Sequence, residues 1–188
     1  MIVGVTDGSL AGHLLVASPV LGDPNFARTV VLVIEHGPEG TVGVVLNRPT
    51  DLEVEDPLPG WSAAAAPPAV VFVGGPVATG AALCLARVRE SETPGWRPVV
   101  EGVGTVDLSE GPDDALAGVD GFRVFSGCAG WAPGQLEAEI GQGAWFVVEG
   151  HPHDVLSTQP ARLWTTVLRR QGARLAFFAH FPLDPSLN

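Results

Sequence analysis

The stretch Phe122-Arg123-Val124-Phe125-Ser126-Gly127-Cys128-Ala129-Gly130-Trp131-Ala132-Pro133-Gly134-Gln135-Leu136-Glu137-Ala138-Glu139-Ile140 decides how the rest of the chain is read. Phe122, Val124 and Phe125 carry the β-branched and aromatic bias of a strand. Ser126 to Gly130 then predicts a tight small-residue turn, because Gly127 and Gly130 allow close backbone approach and positive φ. Pro133 suits a first helical position, where its missing N–H has no partner to lose. That places Gln135 at the third position, within reach of the cap residue's N–H. Leu136 and Ile140, four apart, share one face. Gly141 reads as a left-handed stop, and Trp145-Phe146-Val147-Val148 opens the next strand. The cap falls on Ala132, which has no side-chain oxygen, so free N–H groups are expected there to face water, a distant cap or an anion.

Working outward, Thr29-Val30-Val31-Leu32-Val33-Ile34 is an unbroken apolar run, the pattern of a strand buried on both faces. Gly37-Pro38-Glu39-Gly40 turns it into Thr41 to Leu46 as a hairpin. Strands are also expected at His13 to Ala17, Val70 to Val73, Ala81 to Ala86, Val99 to Leu108 and Leu175 to Phe181. Short helices are expected near Trp61 to Ala66 and Asp113 to Ala117. A longer one should run from Pro160 to Arg170, with Leu163, Trp164, Val167 and Leu168 on its inner face and Arg169 and Arg170 suiting its dipole. Asp51 to Gly60 reads as a surface loop or frayed turn, and 87–98 as a polar, mobile connection.

Several of these segments, in this order, resemble the bacterial YqgE/AlgH family. They are Ser18-Pro19 with Asp23-Pro24 and Phe26, Glu35-His36, Gly43 with Asn47-Arg48-Pro49, Gly74-Gly75-Pro76-Val77, and Ala129-Gly130-Trp131 with Gly134-Gln135-Leu136-Glu137. The likeness covers about Gly12 to Trp164. It implies an α+β (α/β) protein in one compact domain over 1–188, with a mixed, mainly antiparallel, partly barrel-like sheet and a few short flanking helices. Residues 1–11 then form a loose lead-in and 183–188 a loose tail. The resemblance further implies a cytoplasmic protein with a regulatory or small-ligand-binding role and no demonstrated catalysis, its members often being labelled transcriptional regulators. Cys128 stands where the family commonly has Tyr, and this chain has no Tyr.

Composition narrows the function. A chain of 188 residues that is 46% hydrophobic and 16% charged builds a full core without staples, since about 70% of the unfolded surface can be buried at this size. No apolar run reaches membrane-spanning length and no signal peptide is recognisable. With a net charge of −11, and no Lys among ten basic residues, the chain lacks the basic footprint that phosphate neutralisation needs, so direct nucleic-acid binding is disfavoured. A small ligand or a protein partner is expected instead.

Three chemistries remain open on the sequence. The first is a ligand site, for example an anion site, built from Gly127, Ala129, Gly130, Trp131, Gly134, Gln135 and Glu137 with Asn47 and Arg48 near. The second is a thiol-dependent hydrolase or transferase using Cys128, although the glycine spacing is one residue short of a nucleophile elbow. The third is a protein interaction module. Glu35-His36 and Asn47-Arg48 end adjacent strands, so a Glu35–Arg48 ion pair is expected at that corner. Gly74-Gly75-Pro76-Val77 matches neither the dinucleotide nor the P-loop spacing and reads as a turn, so no cofactor is implied. His151 and His153 flank a proline in an expected loop, and two imidazoles fall short of a metal ligand set.

Overall fold

The computed structural model describes residues 8–89, 95–109 and 111–181, without the side chains of 113 and 114. Ten strands alternate with short helices: β1 His13–Ala17, β2 Val30–Gly37, β3 Gly40–Val45, β4 Pro49–Glu53, β5 Val70–Val73, β6 Val77–Val88, β7 Arg97–Val100, β8 Val103–Val106, β9 Val119–Trp131 and β10 Trp145–Glu149. The helices are α1 Pro112–Ala115, α2 Gln135–Gly141, α3 Pro152–Val155, α4 Pro160–Arg169 and α5 Ala173–Ala176, with 3₁₀ turns at Ser62–Ala64 and Phe177–His180.

The sheet runs β10-β1-β2-β3-β9-β6-β8-β7, and the β4–β5 hairpin branches from β9. Every pairing is antiparallel except β5 with β9. The sheet curls into a half-barrel, so that β7 comes back against β2. A Cβ added to Gly12, just before β1, would lie 2.7 Å from the Val99 carbonyl of β7.

β9 is the spine. It pairs with β6 through Val119–Ser126 and again at Cys128, runs beside β5 at Phe125–Ser126, and passes to β3 at Ala129–Trp131. The expected turn at Ser126–Gly130 is therefore extended strand, bent where Gly127 takes φ +72°. β-Pairing on both sides outweighs the local small-residue signal. The β2–β3 hairpin forms as expected, and Val30 to Val33 are fully buried.

Alternation splits β1, β2 and β3 between two cores. Leu14, Val16, Val30, Leu32 and Val44 face inward and pack with Phe72, Leu85, Phe125 and the α4 residues Leu163, Trp164, Val167 and Leu168. Leu15, Val31, Val33 and Val45 face outward against Trp131, Leu136 and Trp145. A third cluster joins Trp61, Cys84, Phe122 and Val124 on the outer face of the other half. The inner helix behaves as the pattern requires, with Pro160 at its start and Gly172 at φ +77° just past its end.

Other expectations are corrected. Part of the expected 51–60 loop is strand, because β4 extends to Glu53 against β5. Val99 to Leu108 is not one strand: β7 and β8 form a hairpin around Glu101-Gly102, with Gly102 at φ +68°. Leu175 to His180 is helical and Phe181 extended, because Phe178 finds its apolar partner in a stack on Phe146 and needs no sheet neighbour. His151 to Asp154 is a helical turn closed by reciprocal capping between His151 and Asp154, not a loop. The lead-in is anchored where described: Leu10 is 5% exposed and Ser9 bonds the His36 carbonyl. Residues 1–7 and 182–188, and 90–94 of the polar connection, lie outside the described residues. Among the described residues no helix is long and apolar enough to cross a membrane.

Candidate functional site

The Gly127 bend is closed. A Cβ at Gly127 would meet the carbonyls of Gly75 at 2.6 Å and Val77 at 2.9 Å, because the Gly74-Gly75-Pro76 turn packs directly on the strand. Gly74 donates its N–H to the Ser126 carbonyl, and the Ser126 hydroxyl donates to the Thr79 carbonyl. Ala129 is fully buried and pairs with Gly43. Backbone of the 74–79 segment thus occupies the space beside Gly127.

The Ala132 N–H has a partner, while the N-cap of α2, Gly134, offers no side-chain cap. Ala132 donates its N–H to the Gln135 Oε1 at 3.0 Å, as the spacing predicts, but the helix begins two residues later, after Gly134 at φ +76°. Gly141 lies inside α2, and Gly143 at φ +79° follows its end. The Gln135 side-chain N–H₂ donates to Glu139 Oε1 at 3.0 Å, while Glu139 Oε2 accepts from the indole N–H of Trp131 at 3.0 Å and of Trp145 at 2.8 Å. Phe26 stacks on Trp131 and meets Trp145 edge-on. Trp131 and Gln135 thus tie α2 to the outer face of the sheet. Glu137 reaches across to the β2–β3 hairpin, 3.5 Å from His36 Nε2, and His36 Nδ1 lies 2.8 Å from the Thr41 hydroxyl.

Asn47 and Arg48 sit at the other end of that hairpin. Asn47 accepts from the Val30 N–H and donates to the Arg28 carbonyl, and Arg48 donates to the Ala27 carbonyl at 2.7 Å. Both pin the loop before β2. No ion pair joins Glu35 to Arg48 among the described residues, because Arg48 turns towards Ala27 instead. The Cys128 thiol is pushed up by partial burial, and burial raises Cys84 to about 12. The His151 and His153 rings stack 5.2 Å apart. Asp154 beside them is fully buried and held by Arg170 through two bonds, at 2.6 and 2.7 Å. No group of three His, Cys, Asp or Glu residues able to hold a metal gathers among the described residues.

Open space lies in a shallow recess of about 510 Å³ between the β2–β3 hairpin and the start of α2, lined by Ser9, His36, Pro38, Pro133, Gly134 and Glu137, and at the mouth of the curled sheet. Trp164 of α4 donates to the Ala17 carbonyl, next to the start of β2, so α4 plugs that end. At the other end of β2 a recess of about 470 Å³ remains. Ile34, Leu83 and Val99 line it and continue into the inner core, while Glu35, Arg97 and Asp107 stand around its rim. Two hydrogen bonds from Ser109 and the charge of Arg97 hold the Asp107 carboxyl below its usual range. Glu35 has no hydrogen bond or ion pair among the described residues. A second recess, of about 380 Å³, shares Glu35 and Val42 with the mouth recess and continues over Gly130 to Val77 and Trp131, with Glu39 at its border. The sequence marks Glu35 as a polar end to a buried strand. Ile34, Leu83 and Val99 carry no signal, since apolar residues facing a recess look identical to core.

The AlgH-like family model (DUF179) matches residues 14–176, and the chain belongs to that family. It is 50% identical to a UPF0301 protein of Streptomyces avermitilis over 98% of this chain and 99% of the relative, and 44% identical to one of Mycobacterium tuberculosis over 95% and 90%. Among solved structures, a Corynebacterium diphtheriae protein superposes with a TM-score of 0.87 at 31% identity, covering 95% of each chain. The AlgH protein of Pseudomonas aeruginosa gives 0.68 at 28% identity, covering 96% of this chain and 98% of that one.

Proposed function

We propose that this chain is a non-catalytic binding protein that takes its ligand at the open mouth of the curled sheet. One observation carries the reading: the 470 Å³ recess between β2, β6, β7 and β8 combines an apolar lining with a few charged groups at its rim. That is the composition of a ligand pocket, and barrel mouths are favoured places for one. An enzyme acting through Cys128 has less support. A raised thiol pKa lowers the nucleophilic fraction at neutral pH, and no described hydrogen bond links that thiol to a histidine. Any regulatory role would run through this ligand or a protein partner, because a net charge of −11 opposes nucleic acid.

The test is NMR titration of ¹⁵N-labelled protein with small aryl-alkyl amines and carboxylates. Amide shifts at Ile34, Leu83, Val99 and Thr105 are expected, lost in Leu83→Arg. Shifts confined to other regions, or none with any probe, overturn the reading.

A further inference from the structure

Gly130 poses the question. Its φ is not positive, and a Cβ added there would meet only Val77 Cγ2, at an ordinary 3.7 Å. Gly43, Gly74, Gly75 and Gly127 differ, since an added Cβ at any of them would strike backbone. Neither conformation nor internal packing therefore asks for glycine at 130. What its missing side chain does is leave the floor of the second recess open between Val42 and Val77, which are 36% and 47% exposed.

We infer that the mouth and the Gly130 recess act as one track for an extended polypeptide segment carrying a basic side chain between two apolar ones. The inference rests on the reading of the mouth as a binding surface. The two recesses share Glu35 and Val42, so they adjoin along β2 and β3. Both floors are apolar: Ile34, Leu83 and Val99 in one, Gly130, Val77 and Trp131 in the other. An extended chain sets every second side chain on one face, about 7 Å apart, so residues i and i+4 can reach the two floors while residue i+2 faces the boundary between them. Between and beside them, Glu35 and Glu39 have no hydrogen bond or ion pair among the described residues, and Arg97 is the sole described cation lining either recess. Uncompensated carboxylates along an apolar track select a cationic residue in the middle and reject an acidic one.

The experiment measures fluorescence polarisation of the full chain with a labelled Ser-Gly-Leu-Ser-Arg-Ser-Leu-Gly-Ser peptide, in which both Leu and the Arg share one face when extended, against Ser-Gly-Leu-Ser-Glu-Ser-Leu-Gly-Ser. The arginine peptide is expected to bind about tenfold more tightly, with affinity falling as salt rises. Glu35→Gln should cost about threefold and Glu35→Gln with Glu39→Gln about tenfold. Gly130→Val should block the peptide while small amines still perturb Leu83 and Val99. Gly130→Ala serves if the valine variant does not fold, since its Cβ meets only ordinary contact. Equal binding of the two peptides, or peptide binding that ignores Gly130 and Val77→Arg, overturns the track. So does amine binding at the mouth without peptide binding, which leaves the mouth reading standing. Failure of amine and peptide alike removes both.

Discussion

The two ends of the curled sheet treat charge in opposite ways. At the plugged end, charged groups are buried and hydrogen-bonded, with only the Nε atoms of Arg123 and Arg170 left without a partner among them. Arg123 is 2% exposed, donates to the carbonyls of Val155, Ser157 and Pro67, and lies 4.3 Å from the centre of the Phe72 ring. Desolvation lowers its pKa to about 10, so the site bears a cost that the carbonyls and the ring offset. Asp154, fully buried, is matched by Arg170 and by the His151 N–H. At the open end, Glu35 and Glu39 are exposed, line a largely apolar recess, and have no side-chain partner among the described residues. Charge at the first end fixes where α3 and α4 sit. At the second end Asp107 is held by Ser109 and Arg97, but Glu35 and Glu39 do no such internal job, which is the physical basis for reading them as a surface kept for something else.

The sharpest way to break this comparison is Arg123→Met. It leaves the buried Val155 carbonyl and the part-buried Ser157 and Pro67 carbonyls without their donor and should cost about 3–5 kcal/mol, or about 10 °C in Tm for a chain of this size. A loss under about 1 kcal/mol in chemical denaturation would mean that packing alone holds the plugged end. Next comes the pair Gly127→Ala and Gly130→Ala, measured the same way. The first forces a Cβ into the Gly75 carbonyl at a left-handed φ and should cost about 3 kcal/mol; the second should stay within about 0.5. Equal effects would erase the distinction between a glycine needed by the fold and one that keeps a recess open. Glu139→Ala leaves the indole N–H groups of Trp131 and Trp145 without their acceptor and should cost about 2 kcal/mol.

Cys128 probes the same contrast by chemistry. Its pKa is raised, so the thiolate is scarcer at neutral pH than for an ordinary thiol. Alkylation by iodoacetamide should rise with pH and reach half its maximum above the usual thiol value, while Cys84 reacts only on unfolding. A midpoint below the usual value would revive a nucleophilic role.

The β2–β3 hairpin and α4 were legible because their signals are local: an uninterrupted β-branched run, a Gly-Pro-Glu-Gly turn, and a four-residue apolar period between Pro160 and Gly172. The half-barrel itself was expected only through the family likeness, since no local signal specifies that β7 curls back to β2. Small residues at 126–130 read as a turn, yet that composition serves a strand on which a neighbouring turn must pack closely. The apolar 175–181 segment failed for a related reason: Phe177 and Phe178 satisfy each other and Phe146 as rings, which period alone does not distinguish from strand pairing. The Trp131–Gln135–Glu139 clasp was half visible, in that Gln135 reaches back to Ala132 as its spacing requires. The second half depends on Trp145 arriving from the next strand. Of the mouth, only Glu35 stood out.

Glu35→Leu carries the smallest expected effect and the most information about the open end. If Glu35 is an exposed carboxylate with no partner, removing it costs no ion pair and no hydrogen bond. A leucine there would extend the apolar lining and lower the local negative charge beside Glu39. Stability by urea denaturation should therefore be unchanged or higher by up to about 0.5 kcal/mol, with the slope of the transition unaltered. The same substitution at a matched site, Asp154→Leu, should cost about 3 kcal/mol by stranding Arg170. Should Glu35→Leu destabilise by more than about 1 kcal/mol, Glu35 would have to be bonded in solution, and the two ends of the sheet would differ in exposure alone.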